Sequence, residues 1–327
     1  MARQVDVCNG DADGLCALVQ WRLHEPQVAA SLVTGLKRDI ELLDRVQAAR
    51  GDSVLVCDLS MRRNRRALMR LLDAGVRVRY FDHHEAGDIP LHPLLEAHID
   101  VASDVCTSLL VDRYLGGKFR AWALVGAFGD NLTNAADELA TGLGLGAEDR
   151  RRLRTLGEAI NYNAYGDSEQ DVYIAPAQLY RILLRYREPQ ALLEHEPLAQ
   201  ELAARRQDDL RQAVALTPYW TGAQADVYLL PDAPWSRRVI GTLGNELARA
   251  RPRRAHAVLK ATGAGDFVVS VRAPLAAPGG AAALCRLFGG GGRAGAAGID
   301  HLPAPDLARF IRAFSVVRWG DARTAAG

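Results

Sequence analysis

Val5-Asp-Val-Cys-Asn-Gly-Asp-Ala-Asp-Gly14 is the stretch on which the fold turns. Val5–Cys8 is a strand candidate, and Leu15, Leu18, Val19 and Leu23 behind it fall at helical spacing. Between them stand Asn, Gly and Asp, the residue types that leave a strand and cap a helix. The alternation repeats outward. Strands are expected at Val28–Val33, Ser53–Cys57 and Val76–Phe81, with a short one at Ala97–Val101. Helical stretches are expected through Ile40, Leu43 and Val46, and through Ala67, Leu68, Leu71 and Leu72. This pattern predicts an α/β fold whose parallel sheet carries helices on both faces, with ligands beyond the carboxyl ends of the strands.

From about Val105 to Leu216 the pattern is mainly helical, broken by Asn161-Tyr-Asn-Ala-Tyr-Gly-Asp167. Alternation then returns. Strands are expected at Ala225–Leu230, Ala255–Lys260 and Phe267–Arg272, and helices at Val239–Ala250, Ala281–Phe288 and near Leu307–Phe314. Gly263-Ala-Gly265 reads as a hairpin turn. The domain reading is a parallel-sheet domain over 1–145, a helical connector over 146–220 and a smaller α/β domain over 221–318.

Composition limits the function classes. Of 327 residues, 49% are hydrophobic and 24% charged, which fits a globular chain with sizeable cores. No apolar run approaches the roughly 20 residues that cross a bilayer, and the start lacks a signal-peptide pattern. The five cysteines form no Cys-x-x-Cys pair and sit in apolar stretches, so a reduced, cytoplasmic protein is expected. Forty basic residues nearly cancel 39 acidic ones, for a net charge of +1. Bulk charge therefore gives no support for coating long nucleic acid, though a local patch suffices for a small anion.

Four features fall at the ends of successive elements: Asp11-Ala-Asp13, Asp58, Asp82-His83-His84, and Asp130 after the apolar run Trp122–Phe128. Singly, each aspartate is ordinary turn or capping chemistry. Together they are informative, because strand-end residues of one parallel sheet converge on one edge. Asp11, Asp13, Asp58 and Asp130 would bring about four negative charges together, a costly arrangement without cations. Two divalent cations would balance it, and mixed carboxylate and imidazole donors without thiolate suit Mn²⁺, with Mg²⁺ or another divalent ion as alternatives. Such a pair lowers the pKa of water and clamps a displacement at phosphorus.

These residues resemble the motifs of the DHH phosphoesterase superfamily, in the branch with a C-terminal DHHA1 domain that holds RecJ-like exonucleases, nanoRNase-type oligoribonucleases and cyclic-dinucleotide phosphodiesterases. The matching pieces run in order from Asn9-Gly-Asp-Ala-Asp-Gly14 through Asp58, Asp82-His83-His84 and Gly129-Asp130-Asn131 to Ser270-Val-Arg272 and Phe288–Gly298. The resemblance implies that Asp11 and Asp58 hold one metal, and that Asp13, Asp58, His83 and Asp130 hold the other. It implies that His84 meets the scissile phosphate or the leaving oxygen, with Asp82 orienting an imidazole. The attacking group would be a hydroxide bridging the metals, and a homodimer is implied as well. Three positions depart from the pattern. Many small-substrate members carry a histidine four positions before Asp11, where this chain has Val7, and RecJ-type members carry an aspartate two positions before it, where this chain has Asn9. The usual Gly-Gly-Gly-His reads Gly290-Gly-Gly-Arg293 here.

The run Gly289–Gly292 has the composition of a linker. It is equally a set of side-chain-free N–H groups able to cradle anionic oxygens. By the second reading Gly290, Gly291, Gly292 and Arg293, with Arg272, bind substrate; the resemblance puts the base and non-scissile end there. The arginine clusters at 62–66, 150–154 and 251–254 read as solvated surface. Tyr162 and Tyr165 fit either base stacking or loop packing. The expected partner is a short nucleic acid or small nucleotide, with a RecJ-like exonuclease or a non-catalytic nucleotide-binding regulator as alternatives and no membrane.

Overall fold

The computed structural model describes residues 2–262 and 265–320. It divides into two compact units, 1–206 and 207–327. The first begins with β1 (Gln4–Asn9), α1 (Ala12–His24), β2 (Ser31–Gly35), β3 (Ser53–Cys57), α2 (Met61–Asp73), β4 (Arg77–Asp82) and β5 (Leu95–Ile99). The strands form a parallel sheet in the order β2-β1-β3-β4-β5. Side chains alternate between two cores. Val5, Val7, Val54, Val56, Val78 and Tyr80 face α2, whereas Cys8, Leu55, Cys57 and Phe81 face α1 and the helices beyond β5. The α/β expectation with both faces covered is met.

Those helices are α3 (Thr107–Tyr114), α4 (Arg120–Gly129), α5 (Thr133–Gly142), α6 (Ala147–Asn163), α7 (Pro176–Leu183), α8 (Pro189–His195) and α9 (Leu198–Val214), within which the division between the units falls. Trp122 and Phe128 of α4 lie buried among α1, α3 and α6. All five cysteines are buried and unpaired. Among the described residues no helix is long and apolar enough to cross a membrane.

Two local expectations are corrected. The second strand starts at Ser31, leaving Val28 exposed in the loop after Pro26. The stretch through Ile40, Leu43 and Val46 is a single 3-10 turn, Leu42–Arg45, instead of a helix. Its backbone groups are taken by side chains of α2. Asn64 donates to Ile40 O and accepts from Leu43 N, and Arg70 donates to Leu43 O and Val46 O. These bonds substitute for the helical ladder.

The second unit holds β6 (Trp220–Thr221), β7 (Ala225–Leu230), α10 (Pro234–Ala250), β8 (Ala255–Ala261), β9 (Phe267–Arg272), α11 (Ala281–Arg286), β10 (Gly291–Gly292), β11 (Ala296–Leu302) and α12 (Leu307–Ser315). Its mixed sheet runs β10-β11-β9-β8-β7-β6. Val269 and Val271 point into a core closed by α11 and α12, with Phe310 and Phe314 at its centre. The turn read at Gly263–Gly265 lies partly outside the described residues; β8 and β9 on either side pair antiparallel.

Candidate metal centre

The carboxyl ends of β1, β3 and β4 lie side by side, so the residues that leave each strand reach the same edge. Asp11 caps α1, accepting from Gly14 N at 3.1 Å. Asp13 lies in the first turn of the same helix, and its two oxygens accept from Thr107 N and Ser108 N at 2.7 Å each. A carboxylate on the N-terminus of α3 is held by both hydrogen bonds and the helix dipole. Asp58 leaves β3 with a left-handed φ of 60°. Asp130 caps the C-terminal end of α4.

His83 joins the set. Its Nδ1 lies 3.0 Å from Val105 O, so the proton belongs on that nitrogen and Nε2 faces the carboxylates. Nε2 is 3.5 Å from Asp58 Oδ1, 3.8 Å from Asp130 Oδ2 and 3.9 Å from Asp13 Oδ2. Asp82, buried, holds His84 Nδ1 at 2.7 Å, and that nitrogen is 3.9 Å from Asp58 Oδ1. Two groups of side chains have ligand atoms within 4.8 Å of one another: Asp13, His83 and Asp130, and Asp58, His83 and His84.

The electrostatics are those of an arrangement short of positive charge. Burial, then the charges of Asp11 and Asp13, push the Asp58 carboxyl well above its ordinary value. Burial and the charges of Asp13 and Asp11 raise Asp130 to about 6. Burial works to lower the His83 pKa, but the Asp58 hydrogen bond and the surrounding carboxylates raise it to about 10. His84 is raised, chiefly by its bond to Asp82. Buried hard-oxygen and imidazole donors held this close fit a divalent cation, which would replace protons as the balancing charge.

Asp11 differs. It belongs to neither group, and Lys37 Nζ lies 2.5 Å from its Oδ2. Burial works to raise the Asp11 pKa, but the Lys37 charge, its hydrogen bond and the Gly14 N–H together lower it. Lys37, Asn161, Val105, Thr107 and Ser108 stand outside the residues expected from the sequence. Thr107-Ser108 opening an apolar helix after Cys106 is the one local signal among them.

In the second unit Arg272 ends β9 and pairs across the sheet with Ala296, while Arg293 N donates to Ala296 O. Arg272 and the glycine hairpin therefore sit together. The guanidinium of Arg272 donates to Asn245 Oδ1 and Ser270 Oγ. The glycines are structural in part: a Cβ on Gly290 would lie 2.2 Å from Gly298 O, and Gly292 has φ of 138°. Gly291 borders open space.

Neither a protein-family model nor a curated protein sequence matches the chain. Solved structures do. An exonuclease RecJ bound to manganese superposes with a TM-score of 0.60 at 20% identity, over 96% of this chain and 89% of that one. A DHH-domain protein described as a member of a family of ribosomal proteins gives a TM-score of 0.66 at 14% identity, over 96% and 86%. A pGpG-specific phosphodiesterase from Vibrio cholerae gives 0.56 at 14% identity, over 96% and 97%. The resemblance read from the motifs is borne out at the level of architecture: the chain has the DHH fold, followed by a second α/β unit.

Proposed function

We propose that the chain is a divalent-metal-dependent phosphoesterase that hydrolyses short oligonucleotides or small nucleotide phosphates. The observation that carries this reading is the convergence of Asp13, Asp58, His83 and Asp130 at the carboxyl edge of the parallel sheet. The DHH fold supports it, since solved neighbours include an exonuclease and a phosphodiesterase. A bound Mn²⁺ or Mg²⁺ would supply Lewis acidity and charge neutralisation at a phosphoryl oxygen. Asp13 and His83 are fixed for that task by the α3 N-terminus and by Val105 O. Asp82 holds Nδ1 of His84, so Nε2 is the nitrogen left to meet the scissile phosphate or give a proton to the leaving oxygen. In this reading 1–145 is the catalytic domain, 146–220 the connector and 221–318 the substrate domain, with Arg272, Gly290, Gly291, Gly292 and Arg293 taking the non-scissile part.

The test is metal-depleted protein reloaded with Mn²⁺, Mg²⁺ or Zn²⁺ and offered 5′-phosphorylated oligonucleotides from two residues upward, adenosine 3′,5′-bisphosphate and a cyclic dinucleotide. Turnover confined to the shortest members is expected. No turnover with any metal overturns the reading in favour of a nucleotide-binding protein. A RecJ-like single-strand exonuclease is the second reading, because RecJ-type members also lack a histidine at the position of Val7. Activity that climbs beyond about ten nucleotides, more than a small cleft spans, would establish it.

A further inference from the structure

Lys37 is one of three lysines in the chain, and its place is built by the backbone on both sides. Its N–H donates to Ala164 O at 3.1 Å, and its carbonyl accepts from Asn9 Nδ2 at 3.3 Å. From there the ammonium reaches Asp11 Oδ2 at 2.5 Å and Asn161 Oδ1 at 3.0 Å. Asp130 Oδ1 is 3.9 Å away, and the Tyr165 ring centroid 5.9 Å.

Counting donors argues against two divalent ions. Both groups able to hold a cation pass through His83. Its Nδ1 is committed to Val105 O, so Nε2 can serve only one ion. A second ion anchored on Asp11, the carboxylate beside Asp58, would share Asp58. Little else at the end of β1 completes its shell. Val7 has no donor atom in its side chain, and Asn9 spends its amide on Lys37 O and Asp11 N. The acceptor that such an ion would need already carries an ammonium.

Resting on the phosphoesterase reading, we infer that Lys37 is the second cation of this centre: its ammonium neutralises Asp11, and the chain binds a single divalent ion at Asp13, Asp58, His83 and Asp130. An ammonium so placed brings N–H donors, which can receive a phosphate oxygen. It lacks the open coordination positions of a metal, so the polarising chemistry falls to one ion.

The test measures stoichiometry, apart from turnover. Metal-free full-length protein is dialysed against saturating Mn²⁺, bound manganese per chain is measured, and electron paramagnetic resonance reports whether the ions are isolated or exchange-coupled. The wild-type chain is expected to bind one ion with an isolated-ion spectrum. Lys37→Gln, which frees Asp11, is expected to move towards two ions and a coupled signal, whereas Lys37→Arg stays at one. Asp11→Asn provides a second probe, expected to keep the single ion. Two coupled ions in the wild type overturn the inference and leave the phosphoesterase reading intact. Loss of the ion in Asp11→Asn, or a folded Lys37→Gln that still binds one, also overturns it. A wild-type chain that binds no Mn²⁺ at millimolar concentration overturns both readings.

Discussion

Asp58 combines two costs that a residue selected for stability alone would avoid. Its left-handed backbone disfavours most side chains by about 1–2 kcal/mol, with Asn and Asp the tolerated exceptions. Its carboxyl is buried beside Asp11 and Asp13, which raises its pKa. Thr107 Oγ1, 3.3 Å away, is one of its few neutral partners. Two substitutions separate the costs. Asp58→Asn keeps the backbone preference and removes the charge. Metal-free Asp58→Asn should therefore unfold at the same or a higher temperature than the wild type, while turnover falls by a factor of about a thousand, or roughly 4 kcal/mol of barrier. Asp58→Ala should lose the same activity and be less stable than Asp58→Asn by about 1–2 kcal/mol, because both remove the charge and only alanine incurs the left-handed penalty. Thermal denaturation beside a steady-state assay reads both. Full activity in Asp58→Asn would remove this carboxylate from the chemistry.

At the scale of elements, the centre depends on how closely α4 passes α3 and α1. Gly126 makes that approach possible. A Cβ there would lie 2.2 Å from Ser108 Oγ and 3.3 Å from Asp13 Oδ1. Ser108 N is one of the two donors on Asp13, so the clash falls on the device that fixes a proposed ligand. Gly126→Ala is expected to cost about 1–3 kcal/mol, as overpacking of a filled core does, and to weaken Mn²⁺ binding as well. Denaturant unfolding and a metal titration on the same variant check it. Lost stability with unchanged affinity would mean that α3 does not set the position of Asp13. Elements also explain what is legible in the sequence. The strand ends near Asp11, Asp58 and Asp82 can be read because a short β-rich run followed by Asp is a local signal. So can Asp130, at the end of the apolar run of α4. Lys37 and Asn161 cannot, since Lys37 lies 26 residues from Asp11 and 124 from Asn161 in the chain, and the three meet only through tertiary packing. The failed helix at 40–46 has a similar cause. Its periodicity is real, but Asn64 and Arg70 of another element capture its backbone groups.

For the whole molecule, charge placement decides which substrates bind well. The net charge is +1, and the arginine clusters at 62–66, 150–154 and 251–254 are largely occupied. Arg62, Arg63 and Arg66 face Glu85, Glu41 and Asp44, Arg151 and Arg154 pair with Glu148 and Asp137, and Arg251 and Arg254 converge on Asp226. Exposed pairs of this kind add little stability, but these clusters then offer a polymer backbone no unbroken basic track. Binding should rest on a few phosphate contacts, with Arg272 and Arg293 the proposed ones in the second unit. Each phosphate neutralised on a single strand contributes about −0.7 to the slope of log affinity against log salt. A di- or trinucleotide substrate should therefore show a KM whose salt slope is about 1–2, and Arg293→Ala should raise KM and lower that slope by about 0.7 with little change in kcat. Steady-state kinetics across a potassium chloride series, repeated for substrates of increasing length, provides the measurement. A slope that stays near this value as length grows matches a short-substrate enzyme. One that steepens with every added nucleotide would reveal a backbone-tracking groove and would turn the assignment towards a processive exonuclease.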